Sequence, residues 1–121
     1  MLIVEDDAIH RALAAQLLTK AGFAVLEAPD AETGLELTRA RRPDLILMDV
    51  SLPRMSGLDA TRLLKGEPST RSIPVIVVSS YLGDSPATIA SAVGASAYVA
   101  KPYHHAEFLD AITRALGEPQ R

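Results

Sequence analysis

Cysteine is absent from the 121-residue chain. That excludes disulfides and thiolate chemistry and is compatible with a reducing cytoplasm, the expected location. Long apolar runs are missing too, and none approaches the ~20 residues of a membrane span. No cationic segment followed by an apolar stretch precedes the first apolar run, so a signal peptide is not expected. Positive charge is not in excess; the net charge of −3 gives no electrostatic case for nucleic-acid binding. Linkers, internal repeats and low-complexity tracts are lacking, because Gly and Pro stand singly at turns. What is present, 48% hydrophobic and 22% charged residues, suits one folded domain over residues 1–121 with a single core.

Short apolar runs set the framework. Met1–Val4, Phe23–Leu26, Leu45–Met48, Ile73–Val78 and Ala97–Ala100 read as strands, and their unbroken hydrophobicity suits burial on both faces. Pro74 cannot donate a ladder bond, so it must stand at the start of its strand. Helical patterns alternate with the runs. Ala8–Ala21 carries Ile9, Leu13 and Leu17 every fourth residue, with Ala12 and Ala21 on the same stripe and His10 and Arg11 off it, in solvent. Asp30 caps a helix to about Arg42, with Ala31, Leu35 and either Leu37 or Thr38 facing inward. Ser56 or Gly57 starts a helix carrying Leu58, Leu63 and Leu64 that stops near Gly66. A weaker, Ala- and Ser-rich helix is predicted from about Ser85 to Val93. His104 or His105 opens the last one, on which Phe108, Leu109, Ile112 and Leu116 form a stripe, and Gly117–Arg121 is a frayed tail. Five alternations of strand and helix give an α/β fold with a parallel sheet covered on both faces. The flavodoxin-like strand order 2-1-3-4-5 is the expected one.

The chemistry stands where the strands end. The first run is followed by Glu5, Asp6 and Asp7, the third by Asp49, the fourth by Ser79 and the fifth by Lys101. In a parallel sheet these ends share one edge, where ligands of open α/β sheets bind. Converging carboxylates of Glu5, Asp6 and Asp49 suit Mg²⁺, a hard cation bound through oxygen; Asp7 reads as a helix cap. A lysine beside them can pair with an anion, and a serine hydroxyl can bond a phosphoryl oxygen. The set suits formation of an aspartyl phosphate, with Asp49 as nucleophile.

The stretches Ile3–Asp7, Leu47–Gly57, Val75–Ser80 and Gly94–Tyr103 together resemble a response-regulator receiver domain of two-component signalling, of the stand-alone, chemotaxis-regulator kind, in that family's order and spacing over the whole chain. The resemblance implies that Asp49 accepts phosphate from a phosphohistidine of a sensor histidine kinase or a histidine phosphotransfer protein. It implies Mg²⁺ held by Asp6, Asp49 and the backbone carbonyl of Ser51, with Glu5 acting largely through water. Ser79 corresponds to the switch hydroxyl, Lys101 to the phosphate-pairing lysine and Tyr98 to the aromatic that turns with the hydroxyl; the bond from Lys101 to Pro102 would be cis. Output is expected through the face made by the helix after Ser85, the strand at Tyr98 and the last helix. Departures are Ser79 where threonine is commoner, a small Ser51, and a large Tyr81 two residues beyond Ser79; the last two bear on phosphoryl lifetime.

Other readings fare less well. A phosphatase of the haloacid-dehalogenase kind needs a second aspartate two residues after Asp49, where Ser51 stands. The expectation is therefore a protein that is not an enzyme on outside substrates and catalyses only its own phosphorylation and dephosphorylation. A receiver-fold binding module regulated without phosphorylation is the main rival, though none of its acids nor the lysine is lost. The chain is either a stand-alone regulator acting on a downstream protein or a receiver fragment of a hybrid kinase or larger regulator. Adjacent His104 and His105 make a poor zinc site, since neighbouring helical residues face different ways.

Overall fold

A computed structural model describes residues 1–79, 92–101 and 104–117. The strands are β1 (Leu2–Val4), β2 (Leu26–Ala28), β3 (Ile46–Asp49), β4 (Val75–Ser79) and β5 (Ala97–Ala100). The helices are α1 (Ala8–Lys20), α2 (Ala31–Arg41), α3 (Gly57–Gly66) and α4 (His105–Gly117). The strands form one sheet in the order β2-β1-β3-β4-β5, and every pairing is parallel. The expected α/β class and strand order are those observed. Predicted features at Tyr81, at the Lys101–Pro102 bond and over most of Ser85–Val93 lie outside the described residues.

Because side chains alternate across a strand, the sheet separates two cores. Leu2, Val4, Ile46, Met48, Val75 and Val77 face α2 and α3. Ile3, Leu47, Ile76 and Val78 face α1 and α4. Both faces being buried explains why the strands are apolar without a break.

Local chemistry starts the helices where expected. Asp7 Oδ1 accepts from Ile9 N and His10 N, Asp30 Oδ1 from Thr33 N, and Ser56 Oγ from Asp59 N. Pro74 precedes β4, and its carbonyl accepts from Ile46 N at 3.0 Å. Phe108 and Ile112 of α4 are buried, while Leu109 and Leu116 flank them.

Some expectations fail in detail. The stripe on α1 is not the one read from the sequence: Ala14 and Leu18 are buried, and Ile9 and Leu13 are 71% and 58% exposed. Two overlapping four-residue series run along this helix, and periodicity cannot choose between them. Arg11, three residues before Ala14, lies beside the buried side and donates to the Glu5 carbonyl at 2.8 Å and pairs with Glu27 at 3.3 Å instead of standing in solvent. On α3 the inward residues are Ala60, Thr61 and Leu64, and Leu63 is 45% exposed; Thr61 can be buried because its hydroxyl donates to the Gly57 carbonyl at 2.8 Å. Finally, β2 begins at Leu26, not Phe23, because the β1 ladder opens at Leu2↔Leu26, while Phe23 and Val25 pack on the α1–α4 core. Gly117 closes α4 and is not part of a tail.

Candidate functional site

Strands β1, β3, β4 and β5 are consecutive neighbours in the sheet, so the residues after them meet at its carboxyl edge. Glu5 and Asp49 are each only 6% exposed, and Ser79 3%. Lys101 Nζ lies 2.6 Å from Glu5 Oε1 and 3.4 Å from Asp49 Oδ2, bridging the two buried carboxylates. Backbone amides hold the other oxygens: Asp7 N donates to Glu5 Oε2 at 3.1 Å and Ser51 N to Asp49 Oδ1 at 3.3 Å. The loop that follows Asp49 is tied back to the sheet by Val50 N on the Val78 carbonyl and Gly57 N on the Val50 carbonyl, both at 3.0 Å. Gly57 is required here, because a Cβ would collide with the Asp49 carbonyl oxygen.

The charges are unevenly compensated. Burial, reinforced by the bond to Glu5 and its charge, pushes the Asp49 carboxyl up to about 6 against the pull of Lys101. Burial also opposes ionisation of Glu5, but the bonds to Lys101 and Asp49 outweigh it and hold its carboxyl below the usual range. For Lys101 burial again opposes the charge, and its bonds to the two acids raise its pKa nonetheless. One ammonium thus serves two buried carboxylates while Asp6 stands exposed beside them. One oxygen from each of Glu5, Asp6 and Asp49 can lie within 4.8 Å of the others. An all-carboxylate donor set with surplus negative charge fits a hard divalent cation such as Mg²⁺. Among the described residues no other group of His, Cys, Asp and Glu is so placed, and His104 and His105 are exposed.

The structure therefore brings together Glu5, Asp6, Asp49 and Lys101. Ser79 ends the neighbouring strand, and its carbonyl accepts from Lys101 N at 2.8 Å. Tyr98 is half-buried, opposite Val77 in the β4–β5 register, and packs on the α2–α3 core. Ser79 follows Val77 by two residues, so strand alternation puts Ser79 and Tyr98 on the same sheet face. Sequence reasoning misses the partners of two arginines. Arg11 was read as solvated, and Arg54 was not singled out, although Arg54 Nη2 lies 3.0 Å from Asp30 Oδ2 and 3.6 Å from Glu32 Oε1. Pairs so far apart in sequence leave no periodic signal. A cleft of about 690 Å³ runs from Glu5, Asp49 and Lys101 between α1 and α4, past Leu13, Leu17 and Phe108.

A family model described as the response regulator receiver domain matches residues 1–113. The polar-differentiation response regulator DivK of Brucella anthropi is 35% identical over 118 residues, covering 98% of this chain and 96% of that protein. The receiver domain of a signal transduction histidine kinase from Syntrophus aciditrophicus superposes with a TM-score of 0.90 at 28% identity, covering 99% of this chain and 91% of that one. The receiver domain of a sensor histidine kinase from Pseudomonas aeruginosa, with a magnesium ion coordinated in its active site cleft, gives 0.88 at 28% identity over 96% and 95% of the two chains.

Proposed function

The chain belongs to the response regulator receiver domain family, and from that premise we propose that it is a signalling switch set by phosphorylation of Asp49. The observation that carries the reading is the Lys101 ammonium bridging Glu5 and Asp49 at 2.6 and 3.4 Å. A buried carboxylate held beside a lysine and two further acids, at the end of a central strand, is placed for phosphoryl chemistry.

Receiver domains of response regulators are phosphorylated by histidine kinases, and the donor here is a phosphohistidine of a sensor histidine kinase or histidine phosphotransfer protein. An Asp49 carboxylate oxygen attacks the phosphorus; the O–P bond forms as the N–P bond breaks, and the departing imidazole nitrogen keeps the electron pair and takes a proton. Asp6, Asp49 and the Ser51 backbone carbonyl would hold Mg²⁺, with Glu5 acting through water, and the ion would supply positive charge against the phosphoryl oxygens. Lys101 moves its ammonium from the carboxylates to a phosphoryl oxygen, and the Ser79 hydroxyl donates to another. Attack of water on the acyl phosphate regenerates Asp49, so the protein acts catalytically only on itself. Ile9 and Leu13, both exposed on α1, with Leu13 at the cleft, offer an apolar surface on which a donor helix can seat. Displacement of Ser79 lets the Tyr98 ring turn inward and alters the face that meets a downstream protein.

The unit is a single receiver domain over residues 1–121, acting in the cytoplasm; among the described residues no helix is long and apolar enough to cross a membrane. Two of the superposing structures are receiver domains of histidine kinases, which favours, as a second reading, a receiver segment of a hybrid kinase. The test is intact mass after incubation with acetyl phosphate and Mg²⁺. Wild type gains one phosphoryl group and Asp49→Asn none, while Lys101→Ala folds and labels but signals poorly. A wild type that never labels would leave the phosphorylation-independent binding module as the better reading.

A further inference from the structure

Arg54 has φ +67°, a left-handed conformation that a residue with a Cβ adopts at a cost. It sits at the tip of the loop between β3 and α3, two residues before the Ser56 cap. Its guanidinium reaches across to the β2–α2 connection, donating to Asp30 Oδ2 at 3.0 Å with Glu32 Oε1 at 3.6 Å. Asp30 is fixed from its other oxygen, since Oδ1 accepts from Thr33 N at 2.7 Å and caps α2. Arg54 is 63% exposed in its side chain, and an ion pair that open to water adds little to stability. A strained backbone holding a weak surface pair has no stability rationale, which directs attention to what the loop carries. At its other end the loop carries Ser51, beside Asp49.

We infer that Arg54 is a positioning residue, a strut that clamps the β3–α3 loop to Asp30 and Glu32 and so sets the backbone after Asp49 for cation binding. This rests on the proposed Mg²⁺ site. The base of the loop is already pinned by Val50 N and Gly57 N, and Leu52 and Met55 pack on the α2–α3 core. The strut fixes the remaining freedom, the tilt of the tip toward α2. A side chain that acts only by its charge makes the opposite prediction: removing a cation from the rim of an acidic site strengthens Mg²⁺ binding, whereas removing the strut weakens it.

The test is calorimetric titration of the full chain with Mg²⁺ alone, with the Ser51 amide chemical shift as a local readout. Arg54→Asn keeps a residue that tolerates left-handed backbone and removes the guanidinium; Asp30→Asn keeps the helix cap and removes the charge. Each should weaken Mg²⁺ binding by about three- to tenfold, at or below the range for groups that orient metal ligands. The double variant should be no weaker than either single one, the mark of a shared contact, and the metal-free melting temperature of Arg54→Asn should not fall. Stronger Mg²⁺ binding in Arg54→Asn, unchanged binding in both single variants, or additive losses would overturn the strut. Wild type serves as the control: if it binds no Mg²⁺, the metal site itself fails, whereas binding by wild type and variants alike defeats only the strut.

Discussion

At the scale of single residues Asp49 works against the fold that holds it. With its carboxyl pushed up to about 6 from an ordinary 3.8 by burial and by Glu5, Asp49 binds a proton more tightly in the folded chain than in the unfolded one. Ionisation therefore costs stability: the penalty is complete above pH 6 and disappears as pH falls toward 4. Asp49→Asn removes that penalty and should stabilise the metal-free protein by up to about 3 kcal/mol at pH 7.5, less what solvent screening takes from it, with no gain at pH 4. The check is thermal denaturation in chelator across that range, and a variant that melts below wild type at pH 7.5 would contradict the repulsive cluster. Glu5 behaves in the opposite sense. Held below its usual range, it contributes stability above its unfolded value that is lost as pH falls through its folded one. Mg²⁺ binding to the folded state should raise the wild-type melting temperature by mass action and cancel the advantage of the asparagine.

Among the elements, α1 divides its apolar residues between core and solvent. Ala14 and Leu18 face the core, whereas Ile9 and Leu13 remain open to solvent, Leu13 at the cleft. Ile9→Ser with Leu13→Ser should change folding stability by less than about 1 kcal/mol and leave labelling by acetyl phosphate intact, yet slow phosphoryl transfer from a kinase at least tenfold. Equal loss with both donors would place these residues in the site's own architecture instead. The same helix shows where the sequence is legible. Strand positions could be read because burial on both faces leaves little but apolar residues, and caps because Asp7, Asp30 and Ser56 bond locally. The acids, Ser79 and Lys101 could be read because strand ends in a parallel sheet share an edge. Which side of α1 or α3 turns inward could not: Leu13 and Leu18, or Leu63 and Leu64, are equally apolar, and the partners these helices meet, such as Glu27 for Arg11, are distant in sequence. The Arg54–Asp30 pair was invisible for the same reason.

On the scale of the whole molecule, the site touches both layers. Ser79 and Tyr98 share the sheet face that packs on α2 and α3, while the cleft toward α4 opens on the other. Binding of beryllofluoride, a phosphoryl mimic, should shift amide resonances from Ser79 through Tyr103, and Ser79→Ala should reduce those shifts. Changes restricted to Glu5, Asp6 and the loop after Asp49 would show that no signal leaves the site by this route. The sheet that separates the two cores has an evolutionary consequence. Ala14, Leu18, Phe108 and Ile112 belong to one packed cluster and Val4, Met48, Val77 and Tyr98 to the other. Substitutions in one group leave the other's neighbours unchanged and combine with little epistasis. With the donor seated on the α1 side, as proposed, a lineage would diverge in which donor it accepts without retuning the layer that holds Ser79 and Tyr98. Duplicated copies of such a gene can part company in their inputs while inheriting the same response.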